Sequence, residues 1–356
     1  MSKIVADIPK IQKNAREFHA LAKSAGASLT AVTKFCTSDP EIAGALASCG
    51  IASIADSNMR NFAAVPAGIR TSLIKTRLSD ILALSSMHAS ARPDRIFVSD
   101  RKLLQALRKT DPDDRPDIVL IAELGDLKDG MYPDEIRRAV GDFPELPIIG
   151  VSANFACLSG VMPSAASAAE LWELALDVQS VRGLSKPFAS VGGTVVWKLL
   201  SEGGFNGLAT EIRIGEGIFF GYDSSGGSAI PGFERDCFSF AGEIIETAEK
   251  KIERNGVQGY TALGAHCAQR SSGLRSCAVL DFGVLAASES DLEPIDPGVQ
   301  FAGQTFDFSV ADITDSAASY AAGGFVSFRI GYSGSSRAYI NPYVSREVTY
   351  ASHKDN

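Results

Sequence analysis

Short β-branched runs alternate with Ala- and Leu-rich stretches over the first two thirds of the chain. Alternation of this kind predicts strands that each lead into a helix. The eight predicted strands lie at residues 29–34, 51–55, 72–76, 95–99, 117–123, 147–153, 187–192 and 210–220. The predicted helices lie at residues 39–49, 100–109, 133–141 and 164–182. Eight repeats of strand and helix, without an opening GxGxxG, favour a (β/α)8 TIM barrel over a doubly wound sheet.

Two predicted helices carry recognisable start signals. Asp39 is a good N-cap residue and is followed by Pro40, which suits the first helical position. Ser164 is likewise a good N-cap residue, and it stands at the start of the helix predicted at 164–182.

The pattern changes after about residue 232. Short alternating runs are separated by Gly, Asp and Ser turns, as in FSFAGEII at 238–245 and FVSFRIGY at 325–332. These runs predict a C-terminal, mainly antiparallel β domain. We therefore assign residues 1–230 to the barrel and 231–356 to the β domain, with the Gly-rich segment 221–233 as a linker. Residues 1–8 are candidates for pairing with the β domain.

Composition and charge exclude several classes of protein. The 356 residues are 45% hydrophobic and 21% charged, as in a globular chain rather than a disordered one. The net charge of −8 argues against nucleic-acid binding. We see neither an apolar run long enough to cross a membrane nor a signal peptide, and six cysteines are spread singly. We therefore expect a cytoplasmic protein with reduced thiols that acts on a small molecule.

The active site of a barrel lies at the carboxyl ends of its strands, and the first predicted strand ends in Lys34. Partial burial there would disfavour the ammonium form, and a neutral amine can attack a carbonyl to form a Schiff base. The alternative is an ordinary solvated lysine at a strand end.

Two Gly-rich segments follow the last two predicted strands, where barrels often bind phosphate. They are Gly192-Gly193-Thr194 and the RIGEG segment at 213–217. Their backbone N–H groups and the Thr194 hydroxyl suit an anion, although ordinary turn glycines remain an alternative. Arg213 could form a bridging ion pair or could reach the ligand.

Three further positions could carry chemistry. Asn154 and Lys128 follow the sixth and fifth predicted strands, and a turn-forming Asn or a solvated Lys is the plain alternative for each. His266 and Cys267 are adjacent, a poor spacing for one metal ion, so we predict no metal site. An acid or base at this pair is more plausible than a metal site, although a buried Cys is usually inert.

A set of strings in one order along nearly the whole chain resembles the alanine racemase superfamily of pyridoxal-phosphate enzymes, or fold type III. The ornithine racemase-type, or alanine/ornithine racemase, branch is the most similar. The strings are AVTK (31–34), DPEIAGAL (39–46), IADSNMRN (54–61), ELGDLKDGM (123–131), NFACLSGVMP (154–163), RIGEGIFFG (213–221), GEIIE (242–246), DITDS (312–316) and PYVSRE (342–347).

The resemblance implies a pyridoxal 5′-phosphate-dependent amino-acid racemase that is a homodimer, each active site being capped by the partner's β domain. Lys34 matches the lysine that holds the cofactor covalently and serves as one base. Arg213 matches the arginine at the pyridine nitrogen. Gly215 and Glu216 match the backbone donors to the phosphate.

Two further cofactor contacts and one substrate contact follow from the same resemblance. Asn154 matches a residue that packs on the cofactor ring, and Tyr343 matches a tyrosine that reaches the phosphate. Asp307 aligns near the partner-domain loop at the substrate. The implied substrate is a free amino acid, ornithine-like or of broad specificity, with Asp307 or Glu216 holding a cationic side chain.

Three positions depart from the family pattern. The phosphate-binding Ser appears as Val195, so Thr194 is expected to supply the hydroxyl. The Arg that binds the substrate carboxylate appears as Lys128, which keeps the charge but loses the bidentate geometry. Leu263 replaces the Tyr that is the second base of alanine racemase.

For the second base we predict Cys267 or His266 of the partner subunit, with Tyr260 also nearby in sequence. A thiolate would need a depressed pKa. Two other functions stay open at this point. One is a D-amino-acid lyase, an aldolase or dehydratase, that uses a metal. The other is a non-catalytic pyridoxal-phosphate-binding protein.

Overall fold

The computed structural model describes residues 1–252, 259–264 and 272–350. Contacts divide the chain into two units. Ile11–Arg235 form one unit, and Met1–Lys10 together with the chain from Asp236 onward form the other. The predicted domain limits, 1–230 and 231–356, stay a prediction.

Eight parallel strands of the first unit close into a barrel, as predicted. They are β2 (Ser28–Val32), β3 (Ser53–Asp56), β4 (Arg70–Leu73), β5 (Arg95–Val98), β6 (Asp117–Ile121), β7 (Ile148–Asn154), β8 (Ala189–Gly192) and β9 (Glu211–Ile214). β9 pairs with β2 and closes the barrel, with Thr30 opposite Arg213. All eight carboxyl ends therefore share one rim.

The helices of the chain are α1 (Ile8–Ser24), α2 (Pro40–Ser48), α3 (Leu78–Ala83), α4 (Arg101–Leu107), α5 (Pro133–Asp142), α6 (Ala165–Arg182), α7 (Val196–Ser201), α8 (Glu216–Phe220) and α9 (Tyr332–Ile340). Both predicted caps are confirmed: Asp39 accepts the Glu41 and Ile42 N–H groups, and Ser164 accepts the Ser167 N–H. Within the described ranges, no helix combines the length and the apolar character needed to cross a bilayer.

One strand prediction was too long. Residues 210–220 were read as a single strand, whereas β9 ends at Ile214 and α8 begins at Glu216. The run GIFF looks the same in a buried strand and in a buried helix, so periodicity alone could not separate them. The segment predicted as a linker, 221–233, contains a small hairpin of β10 (Tyr222–Asp223) and β11 (Ser228–Ala229).

One side of the barrel interior is apolar. Phe97, Val119 and Ile121 form a buried cluster. Three partly buried side chains pack against it, namely Ile74, Ile149 and Phe188. Bulky side chains of this kind fill a barrel as a packed core rather than a pore.

The second unit is built on one sheet. Its strands are β1 (Lys3–Asp7), β12 (Phe238–Ile252), β13 (Gly273–Leu280), β14 (Leu292–Pro294), β15 (Gln300–Gln304), β16 (Ser309–Asp312), β17 (Phe325–Ile330) and β18 (Ser345–Thr349). The order is β14-β17-β12-β13-β16-β15 with antiparallel neighbours, as predicted. β1 pairs antiparallel with β12 and parallel with β18.

Candidate active site

Lys34 begins a short 3₁₀ turn, Lys34–Cys36, just after β2. The turn is held by a buried chain of hydrogen bonds from Thr33 to Ser38 (2.9 Å) and from Ser38 to Asp56 Oδ2 (2.8 Å) at the end of β3. Thr37 and Ser38 both have a φ of 51°, a strained conformation for residues other than Gly. A strained turn fixed by a buried carboxylate gives Lys34 a defined place on the rim.

The Lys34 side chain is exposed. The sequence left two alternatives for Lys34, a partly buried amine and a solvated lysine, and the exposed side chain matches the second. The strand before Lys34 is apolar and enters the barrel wall, but the residue itself lies beyond the strand, where the wall no longer covers it.

Arg213 lies inside the barrel and is only 4% exposed. Its Nη2 donates to Asn154 Oδ1 (3.0 Å) and its Nη1 donates to Ser190 Oγ. The guanidinium also stacks on Phe97, 4.7 Å from the ring centre. Burial lowers the pKa of Arg213 to about 10, so it stays a cation at neutral pH. The structure thus brings together two predicted site residues, Asn154 and Arg213.

A buried ion pair lies beneath Arg213, and the sequence analysis missed it. Arg95 Nη2 is 2.5 Å from Glu211 Oε2, and these side chains are 2% and 3% exposed. Arg95 also donates to Ser72 Oγ at 3.0 Å and 3.1 Å. The sequence places Glu211 and Arg213 two residues apart in one strand, so they face the same side of it, but it gives no signal for Arg95 as the partner of Glu211.

The loops after β8 and β9 meet through Thr194. Its hydroxyl accepts the Gly217 N–H (3.0 Å), so the hydroxyl proton is left to donate elsewhere. A Cβ at Gly217 would lie 2.7 Å from Phe18 and 2.9 Å from Thr194, which explains the glycine there. Val195 is 2% exposed and packs inward. Thr194, not Val195, therefore presents a donor at the predicted phosphate site.

Gly215 precedes α8, and Glu216 is its first residue. The Glu216 carboxylate accepts the Ser224 N–H (3.1 Å) and the Ser224 hydroxyl (2.5 Å). Each oxygen keeps further acceptor capacity, so this carboxylate could still hold a cationic group. That role of Glu216, and the role of the Gly215 and Glu216 backbone towards a phosphate, stay predictions.

Lys128 lies in the loop after β6, where its Nζ is 3.3 Å from Asp129. The same loop is tied to the loop after β7, because Asp126 accepts the Cys157 and Leu158 N–H groups at 2.7 Å and 3.0 Å. Lys128 is thus a rim cation that already has an acidic partner. A substrate carboxylate would have to compete with Asp129 for it.

The remaining predicted residues belong to the second unit or lie outside the described residues. Tyr343 is 79% exposed, and Asp307 is exposed on the turn between β15 and β16. Leu263 and Tyr260 are also exposed. His266 and Cys267 lie outside the described residues. Among the described residues, no three His, Cys, Asp or Glu side chains are arranged to hold a metal ion.

Comparison with known proteins gives relatives over almost the full length. The chain is 25% identical to ornithine racemase from Acetoanaerobium sticklandii, covering 97% of this chain and 99% of that protein. It is 26% identical to lysine racemase from Thermotoga maritima, covering 97% of each. No family model matches the chain.

Three solved structures with the same fold are 13–17% identical to this chain. Alanine racemase from Streptomyces coelicolor A3(2) superposes with a TM-score of 0.70, covering 98% of each chain. The alanine racemase from Bartonella henselae, solved with covalently bound pyridoxal phosphate, gives 0.69 and covers 98% of this chain and 99% of that one. D-threonine aldolase from Filomicrobium marinum gives 0.64, covering 94% and 89%.

Proposed function

The chain belongs to the alanine racemase superfamily, near its ornithine racemase branch, and we propose on this basis that it is a pyridoxal-phosphate-dependent amino-acid racemase. It interconverts L- and D-amino acids. The observation that carries the proposal is the buried Arg213 cation on β9, the strand that pairs with β2, which is followed directly by the turn that carries Lys34.

The residues on the rim fit the cofactor. Lys34 would hold it covalently, and Arg213 would donate to the ring nitrogen. Asn154 would lie against the ring, which Gly192 makes possible: a Cβ at Gly192 would lie 2.3 Å from Asn154 Oδ1 and 2.5 Å from Arg213 Nη2. The second unit's Tyr343 is a further proposed phosphate contact.

The phosphate would bind at the ends of β8 and β9. Thr194 has a hydroxyl proton to donate, since its oxygen already accepts the Gly217 N–H. Gly215 and Glu216 offer backbone N–H groups beside it. The Thr194 hydroxyl would bind the phosphate in place of the family's Ser, since Val195 at that position has no hydroxyl.

Pyridoxal phosphate, when bound, delocalises the negative charge left at Cα after proton removal. Arg213 keeps its own proton at neutral pH, so it would donate a hydrogen bond to the ring nitrogen without protonating it. With Arg213 there, the delocalisation would be weaker, which would favour return of the proton to Cα. Lys34 would take and return the proton on one face.

The proton on the opposite face requires a second base. We propose Cys267 or His266 of a second subunit, with Tyr260 as the alternative. This assignment requires a homodimer in which the second unit of one subunit reaches the barrel rim of the other.

An exposed apolar patch on the second unit supports the homodimer. We call Leu285, Phe306, Phe308 and Tyr343 the β-unit patch; their exposures are 60%, 46%, 48% and 79%. Leu285 N–H donates to Phe306 O at 3.3 Å, so the two lie side by side. Asp307 lies between the two phenylalanines. Exposed apolar groups of this kind mark interaction sites.

The proposed substrate is an α-amino acid with a cationic side chain. Two relatives are named for racemisation of ornithine and of lysine. Lys128 would bind the substrate carboxylate after separating from Asp129. Asp307 would hold the side-chain cation, because it is exposed and lies next to the aromatic residues of the β-unit patch.

Two measurements test the proposal. The full-length chain is incubated with pyridoxal phosphate, reduced with borohydride and digested, and the label is located by mass spectrometry. We expect it on Lys34, and a Lys34→Ala variant as control should carry none. Ornithine, lysine and alanine enantiomers are then followed by chiral chromatography. An unlabelled Lys34 together with unchanged enantiomers would overturn the proposal. Aldehyde release that a chelator stops would instead indicate a lyase.

A further inference from the structure

Arg213 does not pair directly with a carboxylate among the described residues; a serine hydroxyl stands between it and Glu211. Arg213 Nη1 donates to Ser190 Oγ, and Ser190 Oγ donates to Glu211 Oε1 at 2.5 Å. Arginine can only donate and a carboxylate can only accept, so the single hydroxyl proton of Ser190 must point at Glu211. The direction of both hydrogen bonds is therefore fixed.

The far end of this chain of bonds is rigid. Glu211 Oε2 accepts from Arg95 Nη2 and from Thr30 Oγ1 (2.8 Å). Arg95 is itself held by Ser72 and lies over the Phe188 ring at 5.0 Å. Two guanidinium groups thus share one carboxylate inside the barrel, which leaves this cluster with a net positive charge.

We propose that Ser190 and Glu211 are positioning residues for Arg213: they fix the plane of its guanidinium while leaving its charge unpaired towards the barrel rim. This inference rests on the proposed function. A direct Arg213–Glu211 ion pair would occupy the charge-bearing N–H groups and draw the guanidinium deeper into the barrel. Ser190 holds Arg213 through a neutral hydroxyl oxygen, which is a weaker acceptor than a carboxylate. The cation therefore remains available to the ring nitrogen of the cofactor.

The barrel offers a matched control. Ser152 on β7 is the register partner of Ser190 and is also buried, at 1% exposure. Its hydroxyl has no hydrogen-bond partner in the part of the chain that the structure describes. Ser152→Ala therefore removes the same atom at the same height in the barrel without touching the Arg213 contacts.

The experiment compares Ser190→Ala, Ser190→Thr, Glu211→Gln and Ser152→Ala as full-length chains. The first measurement is the dissociation constant of pyridoxal phosphate from absorbance titration. Ser190→Ala and Glu211→Gln should raise it on the order of tenfold, the effect of one hydrogen bond to a charged group. Ser152→Ala should match the wild type, and Ser190→Thr should restore most of the affinity.

The second measurement is the visible absorbance of the bound cofactor against pH. The charged groups acting on Arg213 are Glu211, Arg95 and Asp129, and none of them changes in the Ser190 variants. We expect Ser190→Ala to show a pH-dependent step, because the ring nitrogen can take up a proton once Arg213 moves. The wild type and Ser152→Ala should show none. A merely structural role for Ser190 would leave this profile flat.

The outcomes separate the two proposals. If the wild type binds no pyridoxal phosphate, the proposed function and this inference both fail. If the wild type binds it and Ser190→Ala equals Ser152→Ala in affinity and pH profile, only this inference fails. If Glu211→Gln does not fold, the Ser190 and Ser152 variants alone decide the matter.

Discussion

Replacing Arg95 by Met should lower the free energy of unfolding by about 3–5 kcal/mol, because it leaves the Glu211 carboxylate buried without its ionic partner. The two groups are 2.5 Å apart and at most 3% exposed, so water cannot replace the lost guanidinium. Met fills part of the volume between Phe97 and Phe188 but offers no donor. For a unit of this size the loss corresponds to a fall in Tm of about 6–20 °C.

A surface ion pair provides the control. Arg137 on α5 contacts Asp177 (2.8 Å) and Asp134 (2.9 Å), but all three side chains are about half exposed or more. Its hydrogen bonds to the two carboxylates raise the pKa of Arg137, yet solvent screens that interaction. Arg137→Gln should therefore cost below about 1 kcal/mol.

Unfolding of both variants is followed by circular dichroism in urea, without and with excess pyridoxal phosphate. The reasoning fails if Arg95→Met costs less than about 1 kcal/mol, or no more than Arg137→Gln. The double variant Arg95→Met with Glu211→Leu should recover only part of the loss. It removes the unpaired Glu211 carboxylate, but also the carboxylate that the buried Arg213 reaches through Ser190.

Three further predictions concern single side chains. Thr194→Val should weaken pyridoxal phosphate binding about tenfold in an absorbance titration, whereas Thr194→Ser should not; equal affinities would remove Thr194 from the phosphate site. Gly192→Ala should cost about 1–3 kcal/mol in urea unfolding, because its Cβ would lie 2.3 Å from Asn154 Oδ1; an unchanged midpoint would contradict this. Burial raises the pKa of the Cys36 thiol, which therefore stays neutral at mildly alkaline pH, so iodoacetamide followed by mass spectrometry should label the exposed Cys157 before Cys36.

The elements that sequence could predict are those set by local interactions. The strands and the caps at Asp39 and Ser164 depend on side chains a few residues apart, and they appear where expected. The end of β9 could not be placed, because the helix that begins at Glu216 consists otherwise of residues 217–220, all of which are buried. A local hydrophobic pattern cannot distinguish a strand from a helix where either element would be buried.

The candidate site, like the fold, has features that the sequence could predict and features that it could not. The rim position of Lys34 follows from the strand ends, but its exposure does not, since that depends on how far the neighbouring loops rise above the strand. The roles of Thr194 and Val195 became distinct only in three dimensions, where one side chain faces the Gly217 N–H and the other packs inward. The pairing of Arg95 with Glu211 joins residues 116 positions apart and has no local signal for its partner.

The polar side of the barrel interior is better explained by the site than by the fold. A barrel is stabilised by Val, Ile and Leu layers, and replacing a buried ion pair by apolar residues of similar volume is often neutral or stabilising. Arg95 and Glu211 thus contribute little to the stability of the fold that an apolar pair could not contribute. What an apolar pair cannot do is give Ser190 a fixed acceptor. Without that acceptor, the hydroxyl proton of Ser190 is free to turn, so the lone pairs that accept from Arg213 no longer have a fixed direction and the orientation of Arg213 is less well determined.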